Sequence, residues 1–268
     1  MNLVASMVVK NERSRYLPEV IGHLLEFCDK IVVLDDGSTD GTGEWLDDNT
    51  KGWDRIVVHH LDPEDGFFSG HEGRKRQQLL TYTLNEGPDW VLSIDADEFI
   101  SDGTLVREYV ESDVQARRLV GTLDMEEVWK IGDHGLFVRI DGGWRPHPIP
   151  CLWSAHLSGM RGRALRIADK ALACGREPDA VRRYFPRARP TGASILHFGW
   201  ANQSARRPRY ERYVEADGGK FHRNTHLESI MWGDDQVELE DRPWPRALAK
   251  FRPLITSQSN FDFSGGSA

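Results

Sequence analysis

A chain of 268 residues that is 39% hydrophobic and 28% charged can bury a full core and is too apolar to remain disordered. Its formal net charge of −8 argues against non-specific binding to nucleic acid. The average hides an asymmetry: residues 161–212 carry 13 Lys/Arg against 4 Asp/Glu. That segment is either a solvated basic surface or a face for an anionic acceptor or a diphosphate. No apolar stretch approaches the ~20 residues needed to cross a bilayer. Met1-Asn2-Leu3-Val4 lacks the basic start of a signal peptide. The cysteines, Cys28, Cys151 and Cys174, have no zinc-ligand spacing and are expected to be reduced thiols in a cytoplasmic protein.

In chain order, Leu3 to Val9 is a short apolar run closed by the polar turn Lys10-Asn11-Glu12-Arg13. Leu17, Val20, Ile21, Leu24 and Leu25 recur at helical spacing, with Pro18 tolerated in the first turn and Ser14 expected as the cap. Ile31 to Leu34 is a buried strand ending in Asp35-Asp36-Gly37-Ser38. A short helix from Thr42 to Leu46, a strand Ile56–Val58 and a helix from His71 to Leu84 follow. Trp90 to Ile94 is a fourth strand that runs into Asp95. Alternating strands and helices predict a doubly wound, mostly parallel α/β sheet. In such sheets ligands bind at the carboxyl ends of the strands, so Lys10–Glu12, Asp35–Asp36 and Asp95–Asp97 should share one rim.

Beyond Asp97 the pattern is weaker. Leu119 to Trp129 and Ala193 to Phe198 are candidate strands, Arg209 to Val214 and Leu227 to Trp232 candidate helices. Residues 132–165 are rich in Gly, Trp and Pro, which predicts a shaped loop region. Trp129, Trp144, Trp153 and Trp200 either pack in the core, the commoner fate, or stack on a sugar. The tail, residues 261–268, is expected to be flexible.

The turn Lys10-Asn11-Glu12-Arg13 has no Gly-x-Gly-x-x-Gly, and no P-loop occurs, which disfavours nicotinamide, flavin and P-loop chemistry. Asp95-Ala96-Asp97-Glu98 places three carboxylates in four residues, and a divalent cation would offset their repulsion. Oxygen ligands of this kind favour Mg²⁺ or Mn²⁺.

Three stretches, Met7 to Glu12, Val33 to Thr42 and Trp90 to Glu98, together resemble a family 2 glycosyltransferase of GT-A fold. His197-Phe198-Gly199-Trp200, Arg209-Tyr210-Glu211-Arg212-Tyr213 and Asp217 resemble the C-terminal part of such proteins. The likeness covers residues 1–100 and 193–231 and is absent between 130 and 190. It implies a nucleotide-sugar-binding half over 1–100 and an acceptor-side elaboration with C-terminal helices over 101–260. It implies further that Val9, Asn11 and Glu12 border the nucleotide and that Asp35 or Asp36 accepts hydrogen bonds from the base. Arg74 or Lys75 would face the diphosphate or ribose. Asp95 would contact ribose or metal, Asp97 would be the main metal ligand, and His197 would complete the coordination of Mn²⁺ or Mg²⁺.

Such an enzyme inverts the anomeric centre in one displacement and needs a base for the acceptor hydroxyl. Glu127 is the first candidate, and Asp234 or Asp235 the second. The donor would be a nucleotide-sugar with UDP expected, and the acceptor a glycan, a lipid-linked glycan, a protein or a modified nucleic acid. Two rivals are a sugar-phosphate nucleotidyltransferase and a non-catalytic module reading a glycan or an anionic polymer. The first would bring a glycine-rich loop after the first strand. The intact Asp95 and Asp97 count against the second.

Overall fold

The computed structural model describes residues 1–63, 72–116, 119–158, 176–216 and 225–259. Parallel strands β1 (Leu3–Val9), β2 (Lys30–Asp35), β3 (Ile56–His60) and β4 (Trp90–Ser93) alternate with α1 (Leu17–Leu24), α2 (Thr42–Thr50) and α3 (Glu72–Asn85). Then come β5 (Glu98–Ile100), α4 (Gly103–Ala116), β6 (Val120–Ile131), β7 (Gly135–Arg139) and β8 (His147–Ser154). α5 (Asp179–Tyr184), β9 (Arg189–His197), α6 (Gln203–Ala216), α7 (Thr225–Glu228), β10 (Leu239–Pro243) and α8 (Arg252–Ser259) complete the described elements.

The main path of the sheet is β10-β7-β6-β8-β4-β1-β2-β3, and β9 branches from it, pairing with both β5 and β6. The α/β class expected from the sequence stands, and β1 to β4 pair in parallel as expected. The alternation along β1 shows why both faces are covered. Leu3, Ala5, Met7 and Val9 enter the main core with Leu17, Val20, Ile21 and Leu24 of α1. Val4 and Val8 pack on the other face with Val32, Leu34 and Leu79, the last from α3. A strand sandwiched in this way must be apolar at every position, and residues 3–9 are, apart from Ser6. Register then fixes the rim. Val9 lies opposite Asp35 and Ser6 opposite Ser93, so the chain leaves β1, β2 and β4 on the same side.

Three expectations need correction. Ser14 does not cap α1. Tyr16 occupies the cap position without a side-chain bond, and Pro18 sits in the first turn, where a missing N–H costs no helical bond. Residues 132–165 are not simply loop, because they include β7 and β8. Pro148 and Pro150 disguise β8. β4 pairs only with Leu152–Ser154 of β8, so the prolines fall where the strand has a neighbour, β6, on one side alone and an absent N–H is tolerated. The stretch Leu227–Trp232 is helical only to Glu228 and tightens into a 3₁₀ turn over Ser229–Met231. His71, residues 161–175, Cys174, Asp217 and the tail lie outside the described residues. Cys28 and Cys151 are free, buried thiols. Among the described residues no helix is long and apolar enough to cross a membrane.

Candidate active site

The turn after β1 is tied to the turn after β2. Asn11 adopts φ 57°, a left-handed conformation that asparagine tolerates better than most side chains. Its N–H donates to Ser38 Oγ at 2.9 Å, and its Oδ1 accepts from Thr39 N at 2.8 Å. Gly37 beside it has φ +62°, and a Cβ there would lie 2.5 Å from Pro63 Cα, so only glycine fits this close approach. The Glu12 N–H donates to Thr42 Oγ1 at 2.9 Å. Val9 is buried, and its carbonyl accepts from Asp36 N at 2.9 Å.

The two carboxylates in the second turn do different work. Asp35 Oδ1 accepts from Ser38 N and Oγ, at 3.1 and 2.5 Å, and its Oδ2 lies 3.0 Å from His60 Nδ1. It is consumed in holding the turn. Asp36 faces two cations, with Lys75 Nζ 2.5 Å from its Oδ1 and Lys10 Nζ 3.7 Å from its Oδ2. On α3, Lys75 and Arg76 face the rim, whereas Arg74 is exposed.

The loop from β4 into β5 carries Asp95, Asp97 and Glu98. In the sheet, His197 lies directly opposite Glu98 on β5 and beside Glu127 on β6. Its Nδ1 is 2.5 Å from Glu127 Oε2 and its Nε2 is 3.5 Å from Asp97 Oδ1. Burial alone would lower the His197 pKa, but Glu127 and Asp97 raise it well above the ordinary histidine range. Burial alone would raise Asp97, but His197 and then Arg15 pull it down to about 2.

Four arginines meet these carboxylates. Arg209 Nη2 is 2.6 Å and Arg15 Nη2 3.3 Å from Asp97 Oδ2. Arg76 Nη2 is 3.3 Å from Asp95 Oδ1, and Arg176 Nη2 is 3.1 Å from Asp95 Oδ2. Sequence reasoning gave a role to none of the four. Arg76 is one residue beyond the pair chosen on its helix, and the Glu12/Arg15 spacing was a usable local signal. Arg15 also lines a small cleft with Tyr16, Phe198, Gly199 and Asn202.

The donor set suits a hard divalent ion such as Mn²⁺ or Mg²⁺. It offers two carboxylates and an imidazole whose Nδ1 is already held by Glu127, an arrangement that leaves Nε2 for a ligand. Among the described residues, however, no three such groups converge as a metal-holding cluster, and the oxygens of Asp95 and Asp97 are turned to guanidiniums. An ion could enter only if those contacts exchanged.

The second base candidate lies in a different setting. Asp234 accepts from Trp129 Nε1 at 3.1 Å and Lys130 Nζ at 3.0 Å. Burial would raise its pKa, but the Lys130 hydrogen bond and charge lower it overall. Asp235 is exposed on the same turn. Trp129, Trp144, Trp153 and Trp200 are all buried, so none is an open sugar platform. Gly199 closes the site: a Cβ there would fall 2.4 Å from both His197 Nε2 and Arg209 Nη1.

Residues 5–113, which include the first three strands and the acidic loop, match the family model described as Glycosyl transferase family 2. The likeness to that family is confined to this segment, which is less than half of the chain. Uncharacterized proteins of Mycobacterium tuberculosis and Mycobacterium bovis are each 25% identical over 263 residues, covering 94% of this chain and 61% of their own. The chain thus spans about 61% of the length of these curated relatives. Among solved structures, it is similar to the mannosyltransferase PcManGT of Pyrobaculum calidifontis in complex with GDP-Man and Mn²⁺. That match has 11% identity and a TM-score of 0.47, and covers 96% of this chain and 69% of that one. HddC of Yersinia pseudotuberculosis matches at 11% identity and a TM-score of 0.42, over 81% of this chain and 98% of that one. The family 2 segment contains the rim from Lys10 to Asp97, while Glu127, Arg176, His197 and Arg209 lie beyond it.

Proposed function

We propose that the chain is an inverting glycosyltransferase that moves a sugar from a nucleoside-diphosphate sugar to an acceptor hydroxyl, with a divalent metal. Uridine is the first base to test. One observation carries the reading: in a segment that matches family 2, the turns after β1, β2 and β4 leave the sheet at the same end, and Asp97 of the last meets His197 of β9. In this reading residues 1–100 form the donor half and 101–260 the acceptor half. Asp36 is our choice over Asp35 to meet the base, because Asp35 holds its own turn through Ser38 whereas the partners of Asp36 are the side-chain ammonium groups of Lys75 and Lys10. Lys75 and the rim arginines face the phosphates. Asp95, Asp97 and His197 would hold Mn²⁺ or Mg²⁺, which when bound supplies charge stabilisation for the departing diphosphate.

The reaction is a single displacement. The acceptor oxygen forms a bond to the anomeric carbon as the bond from that carbon to the phosphate oxygen breaks, and the hydroxyl proton passes to a carboxylate. Glu127 is our choice for that carboxylate. One oxygen rests on His197, and the residue lies beside the metal set rather than in the Lys130–Trp129 clamp that holds Asp234. A proton-accepting group of this kind contributes about 10²–10⁴-fold to the rate.

Calorimetric titration of UDP and GDP, with and without Mn²⁺, tests the donor site in wild type and Asp97→Ala. Metal-dependent binding that disappears in Asp97→Ala is expected. Well-folded wild type that binds neither nucleotide in the presence of Mn²⁺ would refute the reading. Glu127→Gln should retain nucleotide binding and lose acceptor-dependent release of nucleoside diphosphate. Unchanged turnover would remove Glu127 as the base.

A further inference from the structure

Three of the rim arginines share a pattern. Arg176 grips Glu98 with both arms, Nη1 to Oε2 at 2.5 Å and Nη2 to Oε1 at 2.8 Å, and touches Asp95 only at 3.1 Å. Arg76 donates from Nε to Glu72 Oε1 at 2.8 Å and reaches Asp95 Oδ1 from both Nη1 and Nη2, each at 3.3 Å. Arg15 donates to Glu12 Oε1 at 2.8 Å and reaches Asp97 at 3.3 Å. Each guanidinium therefore stands on its own glutamate through a short contact and spends a longer, weaker one on the Asp-x-Asp pair. The contacts to the glutamates, two-armed at Arg176, are the shorter and better formed, whereas the contacts to Asp95 and Asp97 at 3.1 to 3.3 Å are long for charge-assisted bonds and more readily exchanged. The anchors come from different elements. Glu12 follows β1, Glu72 opens α3, and Glu98 opens β5. Releasing Asp95 or Asp97 would leave every guanidinium in place.

We infer that Arg15, Arg76 and Arg176, each fixed by its own glutamate, form a ready-made cradle for a diphosphate, and that this anion and a divalent cation bind with mutual positive cooperativity. The coupling is an exchange of partners. The phosphate oxygens take the guanidinium N–H groups now spent on Asp95 and Asp97, and both Asp95 oxygens become available to the cation, while Arg209 keeps its hold on Asp97 Oδ2. Without the anion, a cation must displace the arginines and leave buried charge uncompensated. Linkage makes the effect reciprocal, and couplings of this type span about 5- to 150-fold. The inference rests on the proposed donor site and adds to it the order in which its parts become competent.

The test is the sign of two effects in Arg76→Gln and Arg176→Gln. Mn²⁺ alone is titrated by paramagnetic resonance of the free ion, and inorganic pyrophosphate alone and UDP alone by calorimetry in EDTA. Removing a guanidinium that competes for Asp95 should tighten Mn²⁺ alone several-fold and weaken both anions several-fold. A merely structural residue would weaken all three, and that result, or unchanged Mn²⁺ affinity, would overturn the inference. Arg76→Gln guards against misfolding, because its anchor Glu72 is more exposed than the buried Glu98. Wild type that binds Mn²⁺ and pyrophosphate, with opposite shifts in the variants, but does not bind UDP or GDP would sustain the cradle and sink the nucleotide-sugar reading. Wild type that binds neither pyrophosphate nor Mn²⁺ would end both.

Discussion

Around Asp95 and Asp97 the arginines face carboxylates across a partly open rim, whereas around Trp129 of β6 two other arginines, Arg139 of β7 and Arg206 of α6, are sealed among tryptophans. Arg139 is fully buried, with its guanidinium carbon 4.7 Å from the Trp129 ring and 4.8 Å from the Trp144 ring. It grips Asp141 with two arms, at 2.6 and 2.8 Å, and donates to the Ser229 carbonyl at 2.9 Å. Arg206 stacks 3.6 Å from the Trp129 ring and donates to the carbonyls of Trp200 and Trp129 at 2.8 and 2.5 Å. Burial pushes its pKa down to about 10. In the aromatic cluster the guanidiniums are mortar for a wall that supports the His197–Trp200 turn. On the rim they keep a replaceable partner. The same side chain is structural where short bonds to backbone or to a two-armed carboxylate lock it between ring faces, and available for binding where a longer carboxylate contact can be exchanged.

Breaking the wall should give the largest effect on stability. Arg139→Ala strips Asp141 of its partner and opens a gap between two indoles, at a cost of about 3–5 kcal/mol. Denaturant titration should show that loss, while nucleotide affinity of the folded fraction stays unchanged. A variant as stable as wild type would mean that the tryptophans close up without the guanidinium.

Gly199→Ala probes the join between the two regions. The added methyl must displace His197 or Arg209, an overpacking worth about 1–3 kcal/mol. Calorimetry should record at least about a tenfold weaker metal-dependent nucleotide affinity, equivalent to about 1.4 kcal/mol. Unaltered affinity would show that the His197 ring can move without consequence.

The smallest effect belongs to His60, at the opposite side of the rim. Burial lowers its pKa, but hydrogen bonds to Asp35 and Asp47 raise it above the ordinary value of 6.5. Its contribution to stability is therefore complete below the unfolded value and is lost as pH rises through the raised folded value. With a third of the side chain in solvent, the contribution should be only about 0.2–1 kcal/mol. Urea midpoints measured from pH 5 to 9 should fall slightly more in wild type than in His60→Gln. Parallel curves would show that His60 contributes nothing through its charge.

The rim was legible because its information is local. A buried apolar run followed at once by Asp35-Asp36-Gly37 or Asp95-Ala96-Asp97 states both a strand and what stands at its end. Lys75 was found and Arg76 missed because helical periodicity locates the buried stripe of α3 better than it fixes the phase of its polar face. Arg176 could not be found in this way. It reaches Asp95 and Glu98 across about eighty residues of chain, with no motif around it. Glu127 was visible as an acid on a strand, but its contact with His197 depends on a parallel pairing of β6 with β9 that no local pattern announces. The prolines of β8 conceal a strand that has only one neighbour along half its length. The tryptophans look alike in sequence whether they are buried or offered to a sugar.

The branching of β9 has a consequence for how such a protein can diversify. β9 is gripped on one side by β5 and on the other by β6, and its last residue is the histidine of the site. The chain between the end of β8 and the start of β9 therefore has both ends pinned by register, and its length can change with little effect on where His197 stands. Each doubling of such a connection adds only about 0.6 kcal/mol of closure entropy. Insertions and deletions there that keep Arg176 within reach of Asp95 and Glu98 would leave the site in place. A lineage could then try new surfaces against new molecules while the reactive residues kept their places.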